Sequence, residues 1–487
     1  MRTWQTPLAI DRADPAPLSV QIARALGARI RAGALRPGAP LPSSRALART
    51  LGVHRNTVLA AYGELAAEGW IASDPARATF VSRELPPPPP GAPGRAGPEA
   101  GAPAARAGFD LPPAPADATW STLPPGTLEL LGGTPDPRLV PVAALGSAYR
   151  RALRRREHLS YGDAAGHPRL RAALARMLGE ARGLAVAADG ILVTRGAQMA
   201  LSLAGRALLR SGDGVAVEAL GYRPAWESLR LAGLRTVPVP VDARGLQVER
   251  LEALAAAGAV RAVYLTPHHQ YPTTVTLAPA RRLALLEVAR RARLLVLEDD
   301  YDAEFHYDGR PVPPLASADG AGVVVYVGTL SKVLAPGLRI GWLAGPPDAI
   351  ERVTAHRRFL DRQGDLAVEA AVAELFEEGE AQRHAWRTRR VYAGRREALA
   401  AALRARLPGA LSFRMPAGGM ALWCRVAPGL DPEAWAARAL RAGVAVQPGR
   451  LFAHDRRARP FLRLGFGRLD ERELAEAVRR LAAALPR

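Results

Sequence analysis

A chain of 487 residues with a formal net charge of +20 exceeds what one ordinary hydrophobic core organises, so two or three domains are expected. Its single cysteine, Cys424, excludes an internal disulfide framework and a multi-cysteine metal site, and in the run ALWCRV it reads as a small buried hydrophobe. No apolar run approaches the ~20 residues of a membrane span and the start, MRTWQTPLAIDRADP, has no apolar signal core, which predicts a soluble cytoplasmic protein without membrane contact. The basic excess favours a polyanionic partner such as nucleic acid, through phosphate neutralisation and counterion release. It does not locate the contact, because arginine-rich stretches such as residues 149–158 read by default as solvated helix faces.

Residues 15–84 read as a small domain of three helices followed by a hairpin. Leu18, Ile22, Leu26 and Ile30 recur at helical spacing, and Gly33 with Arg36-Pro37-Gly38 ends that helix. Pro42-Ser43-Ser44 offers a hydroxyl cap to a second helix over Arg45 to Thr50, and Leu51-Gly52-Val53 supplies a turn. Asn56 or Thr57 is the expected cap of a third helix running to about Glu68, and two extended segments, WIAS and ATFVS, flank Asp74-Pro75. This order is a winged helix-turn-helix. In such a module the third helix enters the major groove of double-stranded DNA, which puts His54, Arg55, Asn56 and Thr57 at base edges. Ser43, Ser44 and Arg45 fall where the second helix meets phosphate. A small helical domain with merely solvated arginines is the competing reading.

The segment beginning PLSVQIARALG, with its LPSSR and RNTV elements and its YGELAAEGWI ending, resembles the DNA-binding domain of GntR-family regulators over nearly the whole small domain. The resemblance implies an operator DNA partner. That family's wing carries a glycine-rich turn before TFV, whereas this chain has ARATFV, which removes backbone freedom at the wing tip.

Residues 85–126 change to Pro, Gly and Ala and read as a flexible linker, since proline removes backbone donors and glycine raises the entropic cost of order. From 127 to 487, apolar runs such as ILVT, GVAVE, AVYLT, RLLVLED and VVVYVG alternate with helix-like segments. That alternation predicts an α/β domain with a mostly parallel sheet and a ligand site beyond the carboxyl ends of its strands.

Lys332 is the only lysine among 66 basic Lys and Arg side chains, and it follows VVVYVGTLS at a strand end. Arginine substitutes wherever a fixed charge suffices but cannot supply a free amine at neutral pH. The chemistry that needs such an amine is Schiff-base formation, above all with pyridoxal 5'-phosphate, which also requires a carboxylate at the pyridine nitrogen and anchors for the phosphate. Asp299 is the expected nitrogen partner, Asp300 the fallback, and Tyr301 the hydroxyl donor to the ring oxygen. A solvated acidic strand end is the alternative. Gly196, Ala197 and Gln198 form a strand-to-helix turn suited to phosphate, with Thr329, Ser331 and Arg339 adding hydroxyls and charge. Tyr222 in EALGYRP is placed to stack on the ring.

The set YGDAAGHPRLR, TRGAQMAL, EALGY, TPHHQYPT, EDDYDAEF and YVGTLSKVLAPGLRIGW, in this order, resembles the fold type I aminotransferase domain of MocR-type regulators. The resemblance implies a homodimer in which Tyr161 reaches the phosphate of the partner's cofactor, and Arg463 as the anchor for the carboxylate of an amino-acid effector; an amine is the other candidate effector. Tyr271 stands where aminotransferases carry an asparagine that holds the ring oxygen, and Thr274 where they carry glycine. Pro224 stands where some relatives carry a second arginine. The expected function is a DNA-binding regulator sensing pyridoxal phosphate, an effector, or both; the alternative is a working aminotransferase with an appended DNA-binding domain.

Overall fold

Apolar spacing in the first helix becomes a packed face. Helices Leu18–Arg31 (α1), Ser44–Leu51 (α2) and Arg55–Ala67 (α3) precede an antiparallel hairpin of Ile71–Asp74 (β1) and Ala78–Val81 (β2). Ile22, Leu26 and Ile30 of α1 share one core with Leu47 of α2 and Val58, Ala61 and Leu65 of α3. This computed structural model describes residues 8–74, 78–85, 106–111, 123–310 and 312–486, and the chain divides into two units, Met1–Trp120 and Ser121–Arg487. The wing turn at 75–77 and most of the Pro/Gly/Ala stretch lie outside the described residues.

The helix starts follow capping chemistry, with one departure from expectation. Ser43 Oγ accepts from the Ala46 N–H at 3.3 Å and caps α2. The cap of α3 is His54, whose Nδ1 accepts from the Asn56 N–H at 3.2 Å, and not Asn56 or Thr57. An imidazole nitrogen with a lone pair serves as acceptor just as a hydroxyl would. Asn56 therefore lies inside the helix with its side chain exposed.

In the second unit, Leu128–Glu129 (β3) leads to a seven-stranded sheet. Its strands are Ile191–Thr194 (β4), Gly214–Glu218 (β5), Arg235–Val239 (β6), Ala262–Leu265 (β9), Leu295–Asp300 (β10), Val324–Thr329 (β11) and Gly341–Ala344 (β12). A short hairpin, Val241–Asp242 (β7) with Gly245–Leu246 (β8), follows β6. The sheet order is β4-β12-β11-β10-β9-β5-β6, parallel except for β12, which runs antiparallel to both neighbours. Helices Ala197–Leu208 and Arg223–Leu231 cover one face, and Pro279–Ala292 and Pro168–Arg182 cover parts of the other. Burial on both faces explains why the strands read as near-continuous apolar runs.

A smaller antiparallel sheet follows, formed by Leu411–Ser412 (β13), Ala421–Val426 (β14), Gln447–Pro448 (β16) and Phe461–Gly465 (β17), while Val444–Ala445 (β15) pairs with β3. Its core includes Cys424, fully buried as its apolar neighbours predict. Among the described residues no helix is long and apolar enough to cross a membrane.

Candidate functional site

Side-chain parity along β10 separates the two competing acids. Leu297 stands opposite Tyr264 of β9 and Val325 of β11, and Asp299 stands opposite Val327. Alternate residues share a face, so Asp299 joins the face that packs under helix Ala197–Leu208. Asp300 emerges on the other face, where the Tyr326 hydroxyl donates to its Oδ2 at 2.8 Å and Arg182 Nε lies 3.8 Å away. Neither is a solvated strand end, since the two are only 4% and 6% exposed.

The Tyr264 hydroxyl donates to Asp299 Oδ2 at 2.8 Å, while Oδ1 is buried without a protein partner. Burial pushes this carboxyl up to about 7, opposed by the Tyr264 bond and reinforced by Asp300 and Asp302. A buried carboxylate with a free oxygen is costly until a donor completes it, and a protonated ring nitrogen is such a donor.

Register also assembles the phosphate candidates. Gly341 of β12 pairs with Thr194 of β4 and with Thr329 of β11, so these strand tips are neighbours. Gly196 turns at φ 84 into helix Ala197–Leu208, whose first-turn amides, including those of Ala197 and Gln198, have no intrahelical partner. Arg339 Nη2 donates to the Arg195 carbonyl at 2.9 Å, and a Cβ on Gly196 would approach that nitrogen to 3.0 Å. Thr329 Oγ1 accepts from the Ser331 N–H at 3.1 Å, and the two hydroxyls lie 2.9 Å apart.

Lys332 follows β11 by three residues. Burial lowers its amine to about 8, with Arg463 and Arg339 adding to the shift and Asp302 and Asp299 opposing it. These four groups act on one amine although they come from distant parts of the chain. Arg463 lies on β17, is 1% exposed, and leaves Nε and Nη1 without partners. Its guanidinium carbon sits 4.2 Å from the Tyr271 ring centre. Gly132 makes room for it, because a Cβ there would fall 1.4 Å from Nη1.

The aromatic candidates gather nearby. Tyr222 meets Tyr271 edge-on at 5.2 Å, and Tyr271 meets Tyr301 at 6.0 Å. The Tyr301 hydroxyl donates to the His269 carbonyl at 3.0 Å. Thr274, standing where the aminotransferase segment has glycine, adopts φ 64, a region that disfavours β-branched residues. Tyr161 is not brought into this cluster: it is 76% exposed, with the Arg362 guanidinium 4.1 Å over its ring.

Sequence reading missed Tyr264, Gly132 and Asp302. A polar-tipped aromatic inside AVYLT was the available signal for Tyr264. Paired glycines in LLGGTPD signalled a turn, but only the fold shows what the turn accommodates.

In the first unit, His54, Arg55 and Asn56 are exposed at the start of α3, while Thr57 is half-buried. Arg55 Nε donates to Ser44 Oγ at 3.3 Å. Arg45, Arg49 and Arg55 line one concavity between α2 and α3, Arg49 being a cation the sequence reading did not single out.

The aminotransferase class I and II model matches residues 132–481, and the model for bacterial regulatory proteins of the gntR family matches residues 18–81. The chain is 33% identical over 488 residues to the probable rhizopine catabolism regulatory protein MocR of Rhizobium meliloti, covering 98% of this chain and 95% of that one. It belongs to the MocR-type group of GntR-family regulators. The HTH-type transcriptional regulator TauR of Rhodobacter capsulatus is likewise 33% identical, covering 94% of each chain. Among solved structures, LysN, an α-aminoadipate aminotransferase of Thermus thermophilus complexed with N-(5'-phosphopyridoxyl)-L-leucine, is similar at 33% identity and a TM-score of 0.68. The match covers 74% of this chain and 92% of that one.

Pyridoxal 5'-phosphate is the cofactor to which the large domain of this MocR-type chain is suited. The donor set fits it: an amine at Lys332, an unpartnered carboxylate oxygen at Asp299, and a helix start flanked by Arg339. When bound, that group supplies an aldehyde that condenses with an amine and a pyridinium ring that withdraws electrons.

Proposed function

We propose that this chain is a transcriptional regulator of the bacterial cytoplasm that reads operator DNA and reports occupancy of its Lys332 site by pyridoxal phosphate, an amino-acid or amine effector, or both. The observation that carries the reading is Asp299 Oδ1, buried and unpartnered on the face of the Gly196 helix, in a chain that also holds a winged helix-turn-helix. Residues 15–84 are the reader, 85–126 the linker and 127–487 the sensor. Ser43, Ser44 and Arg45 hold DNA phosphate, and His54, Arg55, Asn56 and Thr57 face base edges.

Within the sensor, Lys332 provides the amine and Asp299 keeps the ring nitrogen protonated. Gly196, Ala197, Gln198, Thr329, Ser331 and Arg339 hold the phosphate, while Tyr222 and Tyr301 position the ring. Arg463 orients the effector carboxylate, a pairing favoured by a buried guanidinium with free nitrogens. An exposed apolar set, Leu159, Tyr161, Phe359 and Leu360, supports a homodimer in which Tyr161 enters the partner's site. Regulation then requires only that ligand bind two arrangements of the readers with different affinity.

Operator binding by the full chain, titrated with and without pyridoxal phosphate and a panel of amino acids and amines, tests this. Affinity or DNA bend angle shifts on adding at least one ligand; identical curves under every condition overturn the proposal. The second reading, a working aminotransferase, draws on the lowered Lys332 amine, which is free to move protons near neutral pH. Sustained turnover with an amino-donor panel would favour it.

A further inference from the structure

Next to Tyr301, the segment after β9 and the segment after β10 bring three imidazoles together. His268, His269 and His306 are all buried, and one ring nitrogen of each lies within 4.8 Å of the others. His269 Nδ1 is 2.8 Å from Asp302 Oδ1. An ionised carboxylate only accepts, so Nδ1 carries the proton and Nε2 keeps its lone pair. That arrangement, a carboxylate fixing the tautomer of a histidine, is the usual support of a metal-ligating imidazole.

His269 Nε2 lies 3.4 Å from His306 Nδ1. The two rings face each other in a hydrogen-bonding contact that a shared metal ion would replace. His268 completes the group from an edge-on position, 4.4 Å between its ring centre and that of His269. It is 4% exposed, and neither of its ring nitrogens has a protein partner. A buried imidazole ordinarily satisfies at least one nitrogen, so this residue calls for a ligand. Asp302 Oδ2 is a second unsatisfied buried acceptor beside the cluster.

We propose that His268, His269 and His306 form a site for one divalent transition-metal ion of the zinc class, with Asp302 orienting His269. Three imidazoles select borderline-soft ions such as zinc, cobalt, nickel or copper over magnesium and calcium, which require oxygen ligands. The three protein ligands leave one position of a tetrahedron open. The His269 carbonyl accepts the Tyr301 hydroxyl at 3.0 Å, so the ion anchors the backbone against which a cofactor-facing tyrosine is held.

The test uses the full-length protein with its cofactor, stripped with a chelator, dialysed, and titrated with zinc alone. Metal content by mass spectrometry and the visible bands of the cobalt-substituted protein provide the readouts. About one zinc per chain and a tetrahedral, nitrogen-ligated cobalt spectrum are expected. His306→Ala and His268→Ala should each weaken zinc binding at least tenfold, and Asp302→Asn on the order of tenfold. Lys332→Ala should bind zinc as the parent does, which separates this site from metal captured by the cofactor and from failure of the cofactor assignment. Substoichiometric zinc, an octahedral cobalt spectrum, or unchanged binding in both histidine variants overturns the proposal. If a variant does not fold, the parent's stoichiometry and cobalt spectrum decide alone.

Discussion

In the first unit the candidate contact residues all fall within residues 43–57, and most are exposed. In the second they come from segments scattered between residues 132 and 463, and all but Tyr161 and Arg339 are buried or half-buried. The contrast follows from the two ligands. A duplex is read from outside by neighbouring side chains on one helix start, each contributing a roughly separable share. A small cofactor must be enclosed, so its contacts converge from several strand ends and share one electrostatic field. Substitutions in the first unit should therefore act locally and modestly, and those in the second should spread through coupled groups.

Lys332→Ala presses hardest on that contrast. Removal of the only amine in the cavity should abolish the visible absorbance of condensed cofactor and weaken its retention by ~100-fold or more, about 2.7 kcal/mol. Ligand-free operator affinity should stay within about twofold of the parent by fluorescence anisotropy; a larger change would show that the two units are not separable. The same amine sets a pH window. Its value falls from 10.5 to about 8 in the folded protein, so between these values the unfolded chain binds more protons than the folded one. Stability in the cofactor-free state should accordingly rise with pH through that window, and condensation with cofactor should accelerate as pH passes about 8.

Asp299→Asn and Asp300→Asn form a paired test of strand parity. Loss of the Asp299 charge should cost ~10- to 100-fold in cofactor affinity. Asp300→Asn should leave cofactor absorbance nearly intact but lower stability by about 1–3 kcal/mol, because Tyr326 and Arg182 lose a charged partner. Equal cofactor loss in both would contradict the assignment of the two acids to opposite faces.

That pair also marks how far sequence reading reaches. The helices of the first unit, the alternation of the second and the isolated Lys332 were legible because each depends on local spacing or on composition. The cap of α3 was misplaced by two or three residues, because His54 does with an imidazole what a hydroxyl was expected to do. Sequence reading puts Asp299 ahead of Asp300 but has no physical ground for the order, since adjacent residues differ only in which face they take, and the face is fixed by pairing with β9 and β11. Tyr264 and Gly132 were hidden for the same reason: each acquires meaning only from a residue far away in sequence, Asp299 and Arg463 respectively.

Gly132→Ala probes that long-range dependence at a smaller scale. The added methyl would occupy the place of Arg463 Nη1, so the guanidinium must leave its position over Tyr271. Dependence of operator binding on a carboxylate-bearing effector should weaken by ~10-fold, about 1.4 kcal/mol, while cofactor absorbance persists. Simultaneous loss of the cofactor would instead place residues 132–133 in the cofactor-holding set, a reading consistent with a Cβ on Gly133 lying 3.8 Å from Lys332 Nζ.

Ser43→Ala is the mildest test and addresses the other side of the comparison. The substitution deletes the acceptor for the Ala46 N–H at the start of an eight-residue helix, which should destabilise that helix by about 1 kcal/mol. The neighbouring Ser44 cannot substitute, because it already lies inside the helix and its hydroxyl accepts from Arg55 Nε. Hydrogen exchange should therefore quicken over residues 44–51 with little change in α1, and operator affinity should fall a few-fold through loosened placement of Arg45. Cofactor absorbance should not move. If it does, the α2 start and the Lys332 site share a folding equilibrium, and the division between a locally built reader and a globally built cofactor site would have to be redrawn.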